Sequence, residues 1–183
     1  MHRSVVLGFA AFSGTGKTTL LEQVMPCLKV KGLRIGVIKA SHHNMEFDVP
    51  GKDSYRLRHS GAVRLLLAMP ERSVCFTDNP EPCDPDFNHQ LQLIQGDDLD
   101  IILVEGFRDA PIPKIEVHRQ VCDKPFLFNH DPWIMAVACD QDTNRSGISL
   151  PCLDINQPDQ VSAYIFDYWQ QHTLNTAQEH NDE

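Results

Sequence analysis

The chain has 183 residues, of which 42% are hydrophobic and 22% are charged, as is usual for a single globular domain. Its 16 Lys and Arg residues are outnumbered by 25 Asp and Glu residues, so the formal net charge at pH 7 is −9. Such a balance argues against general nucleic-acid binders and proteins held on anionic membranes, because both need excess positive charge. The longest apolar run, Val5–Phe12, is far shorter than the roughly 20 residues that span a bilayer. We therefore expect a cytoplasmic protein that contacts neither nucleic acid nor membrane.

The first predicted elements are a buried strand, a glycine-rich loop and a helix. Ser4–Ala10 is apolar and rich in Val and Leu, as in a strand buried on both faces. From Leu20 onward, apolar residues recur at helical spacing until Gly32, and Pro26 predicts a kink within this helix. Arg34–Ala40 is predicted to be the second strand.

The middle of the chain predicts a loop and a small antiparallel excursion. Ser41–Gly51 is polar and contains two histidines, which is typical of a functional loop. Lys52–Ser60 predicts a short helix. Ala62–Met69 and Arg72–Thr77 predict two strands, and the proline-rich Asp78–Asp86 predicts a loop.

Further strands and helices follow. Asp84, with Pro85 after it, predicts the N-cap of a helix. Asp100–Val104 predicts another buried strand, whereas Lys114–His118 alternates polar and apolar residues and predicts an edge strand. Trp133–Cys139 also predicts a buried strand.

The C-terminal part completes an α/β pattern. Cys152–Ile155 predicts a short strand, and the apolar residues after Pro158 predict an amphipathic helix. Strands that alternate with helices indicate a mostly parallel sheet flanked by helices, here with an antiparallel β excursion. We expect one domain over residues 1–172, followed by a polar and disordered tail over residues 173–183.

The strongest motif is a phosphate-binding loop at Ala11–Thr19, Ala-Phe-Ser-Gly-Thr-Gly-Lys-Thr-Thr. It fits the P-loop pattern, with Ala in place of the first glycine. Gly14 and Gly16 allow backbone N–H groups to point at phosphate oxygens, Lys17 adds a positive charge, and Thr18 offers a hydroxyl to Mg²⁺. Because a strand precedes the loop and a helix follows, the helix N-terminus also favours an anion. The predicted nucleotide-binding residues are Ser13, Gly14, Thr15, Gly16, Lys17, Thr18, Thr19 and Lys39.

A carboxylate is expected on the metal side of the nucleotide. Glu105 ends the strand Asp100–Val104 at the edge where ligands bind in open α/β sheets, so we assign it to Mg²⁺ together with Thr18. Asp48 and Asp53 are alternative carboxylates for Mg²⁺ or for a water molecule. The sequence offers no strong catalytic base, and Glu105 and Asp48 are the only weak candidates.

Several other polar groups have competing interpretations. Arg56, Arg58 and His59 could contact phosphate or a partner, or form a solvated helix face. Asp140 or Asp142, after a late strand, could read the guanine edge, although the Asn-Lys-x-Asp type of signature is missing.

A metal site is the less favoured interpretation of the histidines and cysteines. His42 and His43 are adjacent, so one metal would not easily bind both, and a structural or substrate contact is favoured. No two of the six cysteines are closer than eight positions, which favours isolated reduced thiols over a disulfide framework or a zinc site.

Taken together, these motifs resemble the MobB family, the molybdopterin-guanine dinucleotide biosynthesis adapter proteins. The similarity extends over roughly residues 4–170. In one respect the chain departs from the family pattern, because Ala40 stands where a histidine is expected in the Lys-His-x-His-His stretch. The matching stretches are Phe9–Leu21, Gly36–His43, Asp48–Tyr55, Ile102–Phe107, Trp133–Ala138 and Leu153–Asn156.

The resemblance implies a GTP-binding protein with weak, Mg²⁺-dependent GTPase activity. It implies that a MobA-type guanylyltransferase is the partner, that molybdopterin or molybdoenzymes are further candidates, and that the protein is a homodimer. Ala62–Thr77 or Lys114–His118 would be the pairing segment of that dimer.

Three other functions remain open at this point. The P-loop also suits a small-molecule kinase, although a kinase usually carries an arginine-rich lid that is not evident in the second half of the sequence. A metal-delivery GTPase would use His42, His43 and cysteines as ligands. The third alternative is GTP binding that serves only to dock a partner.

Overall fold

The computed structural model describes residues 4–41, 45–79, 81 and 83–179, and their contacts divide the chain into two compact units. One unit contains the residues up to Ala40 and those from Asp86 onward, and the other is Ser41–Pro85. In chain order the elements are β1 (Val5–Ala10), α1 (Lys17–Val30), β2 (Ile35–Lys39), α2 (Asp53–His59), β3 (Arg64–Ala68), β4 (Ser73–Thr77), α3 (Phe87–Ile94), β5 (Ile101–Glu105), β6 (Lys114–His118), β7 (Ile134–Cys139), β8 (Cys152–Asp154) and α4 (Pro158–Glu179).

A six-stranded parallel sheet forms the centre of the first unit. Its strand order is β2-β5-β1-β6-β7-β8, so β1 lies between β5 and β6. Phe9 pairs with Glu105 on one side and with Ile115 on the other. This position brings the carboxyl ends of three neighbouring strands to the loop that follows β1.

Helices cover both faces of this sheet. The apolar stripes of α1 and α4 pack on one face, where Leu20, Val24 and Ile165 join the alternate residues of the strands in the main core. The apolar residues of α3 pack with Ile102 and Val104 on the opposite face. The predicted fold class, a P-loop NTPase-like parallel sheet with flanking helices and an antiparallel excursion, is confirmed.

The prediction that Lys114–His118 is an edge strand is wrong. Strand β6 lies inside the sheet between β1 and β7, and all five of its residues are buried. Its polar side chains are buried because they have partners: the Lys114 ammonium lies 3.0 Å from Asp131 Oδ2, and the Glu116 carboxylate accepts the backbone N–H groups of Leu127 and Phe128 at 2.8 and 2.9 Å. Since both edges of β6 are paired, this segment is not available to pair with a second subunit.

A close approach between β1 and β6 explains the glycine in β1. Gly8 pairs with Lys114, and a Cβ atom at residue 8 would lie 2.7 Å from Lys114 Cγ. That separation is below any normal van der Waals contact, so the alkyl chain of Lys114 occupies the space that another residue would fill.

Two predicted boundaries change. Helix α3 is capped by Asp86, whose Oδ1 accepts the His89 N–H at 2.8 Å, rather than by Asp84. Helix α4 extends to Glu179, beyond the position at which the polar tail was expected to begin. Helix α1, by contrast, includes Pro26 and ends at Val30, close to the end that Gly32 predicts. None of the helices in the described part of the chain combines the length and apolar character needed to cross a bilayer.

The second unit consists of α2 and the antiparallel pair β3–β4. The Arg58 side chain is only 11% exposed and lies 2.9 Å from Glu46, 3.3 Å from Asp78 and 4.6 Å from the centre of the Phe76 ring. The solvated-helix interpretation is therefore wrong for Arg58, whose contacts hold together separate segments of the second unit.

Candidate functional site

The loop between β1 and α1 has the backbone conformation that its glycines predict. Gly14 and Gly16 adopt φ values of +82° and +90°, in the left-handed region that residues with a Cβ rarely occupy. Thr15 between them is buried, and its hydroxyl donates to the Phe12 carbonyl at 3.0 Å. The loop is thereby held in a tight turn at the start of α1.

Lys17 is the first residue of α1 and leans back over this turn. Its ammonium lies 3.3 Å from the Phe12 carbonyl oxygen and 3.4 Å from that of Ala11. Burial lowers the pKa of Lys17, and the positive charges of Lys39 and Arg108 lower it further, while Glu105 opposes them. An anion bound here would relieve this repulsion, and the first-turn N–H groups of α1, which have no intrahelical acceptors, would add donors.

Glu105 lies at the end of β5, beside the start of α1. Its Oε1 accepts the Thr18 hydroxyl at 2.7 Å and lies 2.9 Å from the Lys39 ammonium. Burial opposes ionisation of Glu105, but the hydrogen bonds from Lys39 and Thr18 and the charge of Lys17 outweigh it, so its pKa lies below the ordinary value. Glu105 is therefore a carboxylate near neutral pH.

The donor set around Thr18 suits Mg²⁺. This cation prefers hard oxygen ligands and keeps several of its waters. The Thr18 hydroxyl donates its hydrogen to Glu105, which leaves oxygen lone pairs for a cation, and the carboxylate supplies negative charge beside them. Within the described ranges, no three His, Cys, Asp or Glu side chains lie close enough together to form a protein-only metal site.

Arg119 was not among the predicted site residues, although it contacts the phosphate loop. It follows β6 directly, and its Nε donates to the Thr15 carbonyl at 3.2 Å. The sequence does carry a signal for it, because a residue just after a strand next to β1 must lie near the loop. The mistaken assignment of β6 as an edge strand concealed that signal.

Asp140, one of the two residues proposed to read guanine, connects two loops. Its Oδ1 accepts the Gln120 N–H at 3.3 Å and the Thr143 hydroxyl. Burial tends to raise the pKa of Asp140, but these two hydrogen bonds and the charge of Arg119 leave it below the ordinary value. Asp140 thus joins the loop after β6 to the loop after β7, and the neighbouring Asp142 is exposed.

Comparison with known proteins identifies the family. The sequence model described as "Molybdopterin guanine dinucleotide synthesis protein B", MobB, matches residues 6–140. The chain belongs to the MobB family. It is 41% identical over 167 residues to the molybdopterin-guanine dinucleotide biosynthesis adapter protein of Haemophilus influenzae, covering 91% of this chain and 90% of that protein. With the adapter protein of Escherichia coli it is 38% identical over 166 residues, covering 90% and 93%.

Solved structures of the MobB family share the fold. A crystal structure of molybdopterin-guanine biosynthesis protein B superimposes with a TM-score of 0.68 at 25% identity, covering 90% of this chain and 99% of that one. A MobB homologue from Bacillus stearothermophilus superimposes with a TM-score of 0.64 at 20% identity, over 91% and 98% of the two chains. The fold is therefore that of the MobB family over most of its length.

The remaining candidates in this MobB-family chain belong to the second unit. Asp48 Oδ1 accepts the Ser54 hydroxyl at 2.8 Å and the Val49 N–H at 2.9 Å, so this oxygen caps its own loop. Asp53 is exposed in the first turn of α2. His42 and His43 lie outside the described residues, and the metal interpretation given to them stays untested.

Proposed function

We propose that this chain binds GTP with Mg²⁺ at the loop Ser13–Thr19 and acts as an adapter in the biosynthesis of molybdopterin guanine dinucleotide. The main support is the arrangement at the start of α1, where a glycine turn, the Lys17 ammonium and the Thr18–Glu105 hydrogen bond converge. The names of relatives that are 38–41% identical over most of the chain support the pathway. The cytoplasmic location expected from the sequence is part of this proposal.

In this proposal the chain's own groups hold the triphosphate. The backbone N–H groups of Ser13–Thr19 donate to phosphate oxygens, and Lys17 exchanges its long contacts with Ala11 and Phe12 for shorter ones to phosphate. Thr18 holds Mg²⁺ while Glu105 orients the Thr18 hydroxyl and balances the charge. When bound, Mg²⁺ neutralises the charge that develops on the transferred phosphoryl group. Lys39 stays on Glu105 or moves to a phosphate oxygen.

Hydrolysis at this site should be slow. Glu105 is a poor general base, because its pKa is lowered and its Oε1 already accepts Thr18 and contacts Lys39. In the described structure Arg119 donates to the loop carbonyl of Thr15, and phosphoryl transfer is fast only when such charges are positioned on the transferred group. A slow GTPase suits an adapter, whose bound nucleotide has to persist while a partner engages it.

The partner in this proposal is a MobA-type guanylyltransferase, and the functional unit is a homodimer. Strand β3 pairs only with β4 within the described residues, so each strand of this small sheet keeps one open edge. Leu66 on β3 is 64% exposed. These features favour Ala62–Thr77 over the paired strand β6 as the dimer segment. Light scattering should give a dimer for the wild type and a monomer for Leu66→Arg.

Calorimetric titration tests the nucleotide site. We expect GTP to bind in the presence of Mg²⁺ more tightly than ATP, and Lys17→Ala to abolish binding. Lys29→Ala is the matched control, because Lys29 is exposed in the last turn of the same helix. Unchanged affinity in Lys17→Ala would refute the site, and equal affinity for ATP would refute the preference for guanine.

A guanylyltransferase assay tests the adapter role separately. Product formation by the MobA-type partner is measured with wild-type chain, with Lys17→Ala and with no added chain. The proposal expects stimulation by the wild type alone. An equal rate in all three reactions would refute the adapter role and leave nucleotide binding as a separate question.

A further inference from the structure

A cavity of about 540 Å³ opens beside the phosphate loop, within the first unit. Phe12 from the loop forms one wall, and Phe126 and Trp133 form others. Arg108, His130 and Asp131 contribute polar groups to the lining. This volume falls within the roughly 300–1,000 Å³ of typical small-molecule sites, and a few polar groups among aromatic walls are characteristic of such sites.

Residues 125–133 contribute most of the other walls of the cavity. Polar side chains of β6 hold this segment in place. Glu116 accepts the N–H groups of Leu127 and Phe128, and Lys114 lies 3.0 Å from Asp131. The Phe126 ring stacks on His118 with centroids 4.2 Å apart. Because these contacts join the wall to the buried strand β6, ligand binding would require little ordering of the protein.

Trp133 contributes exposed aromatic surface to the cavity. Trp133 is 46% exposed although its neighbours in β7 are mostly buried. A tryptophan that presents its ring to a cavity offers a stacking surface for a planar group. The nearby carboxylates of Asp109 and Asp131 are acceptors for ring N–H groups, and His130 adds a further polar contact.

Arg108 connects the cavity with the phosphate site. Its side chain is 51% exposed, and its Nε lies 3.7 Å from Asp109, beyond hydrogen-bonding distance. Its charge acts on Lys17 and contributes to the lowered pKa of that residue. The preceding Phe107 has a φ of +49°, an uncommon conformation for a residue with a side chain that is often found at functional sites.

We infer that this cavity binds a planar aromatic heterocycle with an anionic group, its ring between Phe12, Phe126 and Trp133 and its anion on Arg108. The inference rests on the proposed function, since the cavity borders the phosphate loop at Phe12 and would lie beside a nucleotide bound there. Pterins that carry a phosphate or carboxylate belong to this chemical class, and a pterin is part of the dinucleotide in the family description. The chain would thus hold its nucleotide and a second substrate side by side.

Binding of pterin-6-carboxylate to the full-length chain tests the inference. The chain has two tryptophans, so Trp169→Phe leaves Trp133 as the single tryptophan reporter. We expect saturable quenching of Trp133 and a matching calorimetric isotherm. Arg108→Ala should weaken binding at least tenfold, whereas Arg72→Ala, which removes an exposed arginine of the second unit, should leave affinity unchanged. No saturable binding, or equal affinity in Arg108→Ala, would overturn the inference.

A competition experiment separates the cavity from the nucleotide site. We expect GTP with Mg²⁺ and pterin-6-carboxylate to bind together, and Lys17→Ala to lose GTP while it keeps the pterin. Displacement of the pterin by GTP would show that the cavity holds part of the nucleotide and would overturn the inference. If wild-type chain binds the pterin but no GTP, the proposed nucleotide function fails while the pterin site stands.

Discussion

Strands β5 and β6 both pair with β1 and are both buried throughout, yet β5 is mostly apolar whereas β6 alternates polar and apolar residues. β5 reads Ile-Ile-Leu-Val-Glu, and β6 reads Lys-Ile-Glu-Val-His. Strand β5 is buried because its first four side chains are apolar. Strand β6 is buried because residues of the following loop pair with its polar side chains at Lys114 and Glu116. The polarity of a strand therefore reports its burial only when no such partner exists elsewhere in the chain.

The carboxylates of the two strands have different partners. Glu105 ends β5 and contacts Thr18 and Lys39, two residues placed at the phosphate loop and the neighbouring strand end. Glu116 lies within β6 and accepts two backbone N–H groups of a loop. We interpret the first as part of the nucleotide site and the second as an anchor for the wall of the neighbouring cavity.

The largest expected effect is on stability, through the buried end of β6. Lys114→Met keeps most of the side-chain volume but leaves Asp131 without its cation and the Ala110 carbonyl without the donor that lies 2.6 Å away. Breaking a buried pair from one side costs about 3–5 kcal/mol, and Asp131 is 20% exposed, so we expect the lower end of that range. Urea unfolding measures the loss.

The control for this variant is an exposed ion pair of the same unit. Arg34 lies 2.9 Å from Asp100, but its side chain is 55% exposed. Arg34→Met should therefore change the free energy of unfolding much less than Lys114→Met. Equal losses would contradict the role assigned to burial in β6.

The next largest effect on stability is expected in β1, which pairs with both β5 and β6. Gly8→Ala places a Cβ 2.7 Å from Lys114 Cγ and 3.1 Å from Ile112 Cδ1, and overpacking of this kind costs about 1–3 kcal/mol. Urea unfolding of the single variants and of the double variant with Lys114→Ala forms a cycle. We expect Gly8→Ala to cost clearly less once the Lys114 side chain is removed, and simple additivity would refute the close approach.

The phosphate loop could be predicted from the sequence because its determinants are local. Nine consecutive residues, Ala11–Thr19, carry the glycines, the lysine and the hydroxyls, and the strand and helix beside them are apolar at the expected spacing. The parallel sheet and the position of Glu105 follow from the same periodicity. These features could be predicted because local patterns indicate them, even though the sheet itself pairs residues as distant as Val5 and Ile101.

The interior position of β6, the contact of Arg119 and the burial of Arg58 could not be predicted in this way. Each depends on partners outside its own helix or strand: Lys114 on Asp131, Arg119 on Thr15, and Arg58 on Glu46 and Asp78. Alternating polar and apolar residues predict a strand with one buried and one exposed face, unless partners for the polar side chains are known. In these cases tertiary contacts, and not the local polarity pattern, determine where the polar side chain lies.

A third prediction tests the functional difference between the two carboxylates. Glu105→Gln keeps an acceptor for Thr18 but removes the negative charge beside the expected Mg²⁺, so the gain in GTP affinity on adding Mg²⁺ should fall about tenfold, or ~1.4 kcal/mol. Glu116→Gln is the matched control on β6, and it should lower stability without changing the dependence on Mg²⁺. Calorimetry with and without Mg²⁺ separates the two. If both variants lose that dependence equally, Glu105 has no special role.

The smallest effect is a pH dependence that arises in β6. Burial lowers the pKa of His118 below its ordinary value of 6.5, although the charge of Asp140 acts in the opposite direction. The unfolded chain therefore takes up a proton first as the pH falls. Stability from neutral His118 is fully present above about pH 6.5 and declines below it, by at most about 1.4 kcal/mol for one proton over one pH unit.

Urea unfolding at about pH 7.5 and about pH 5.5 detects this decline. His118→Gln removes the titrating ring, so its stability should fall less between the two pH values than that of the wild type, even though losing the stack on Phe126 weakens it at both. His89→Gln, at an exposed position of α3, should keep the wild-type difference. If His118→Gln also keeps it, the buried histidine of β6 is not the group that titrates, and its function is limited to packing against Phe126.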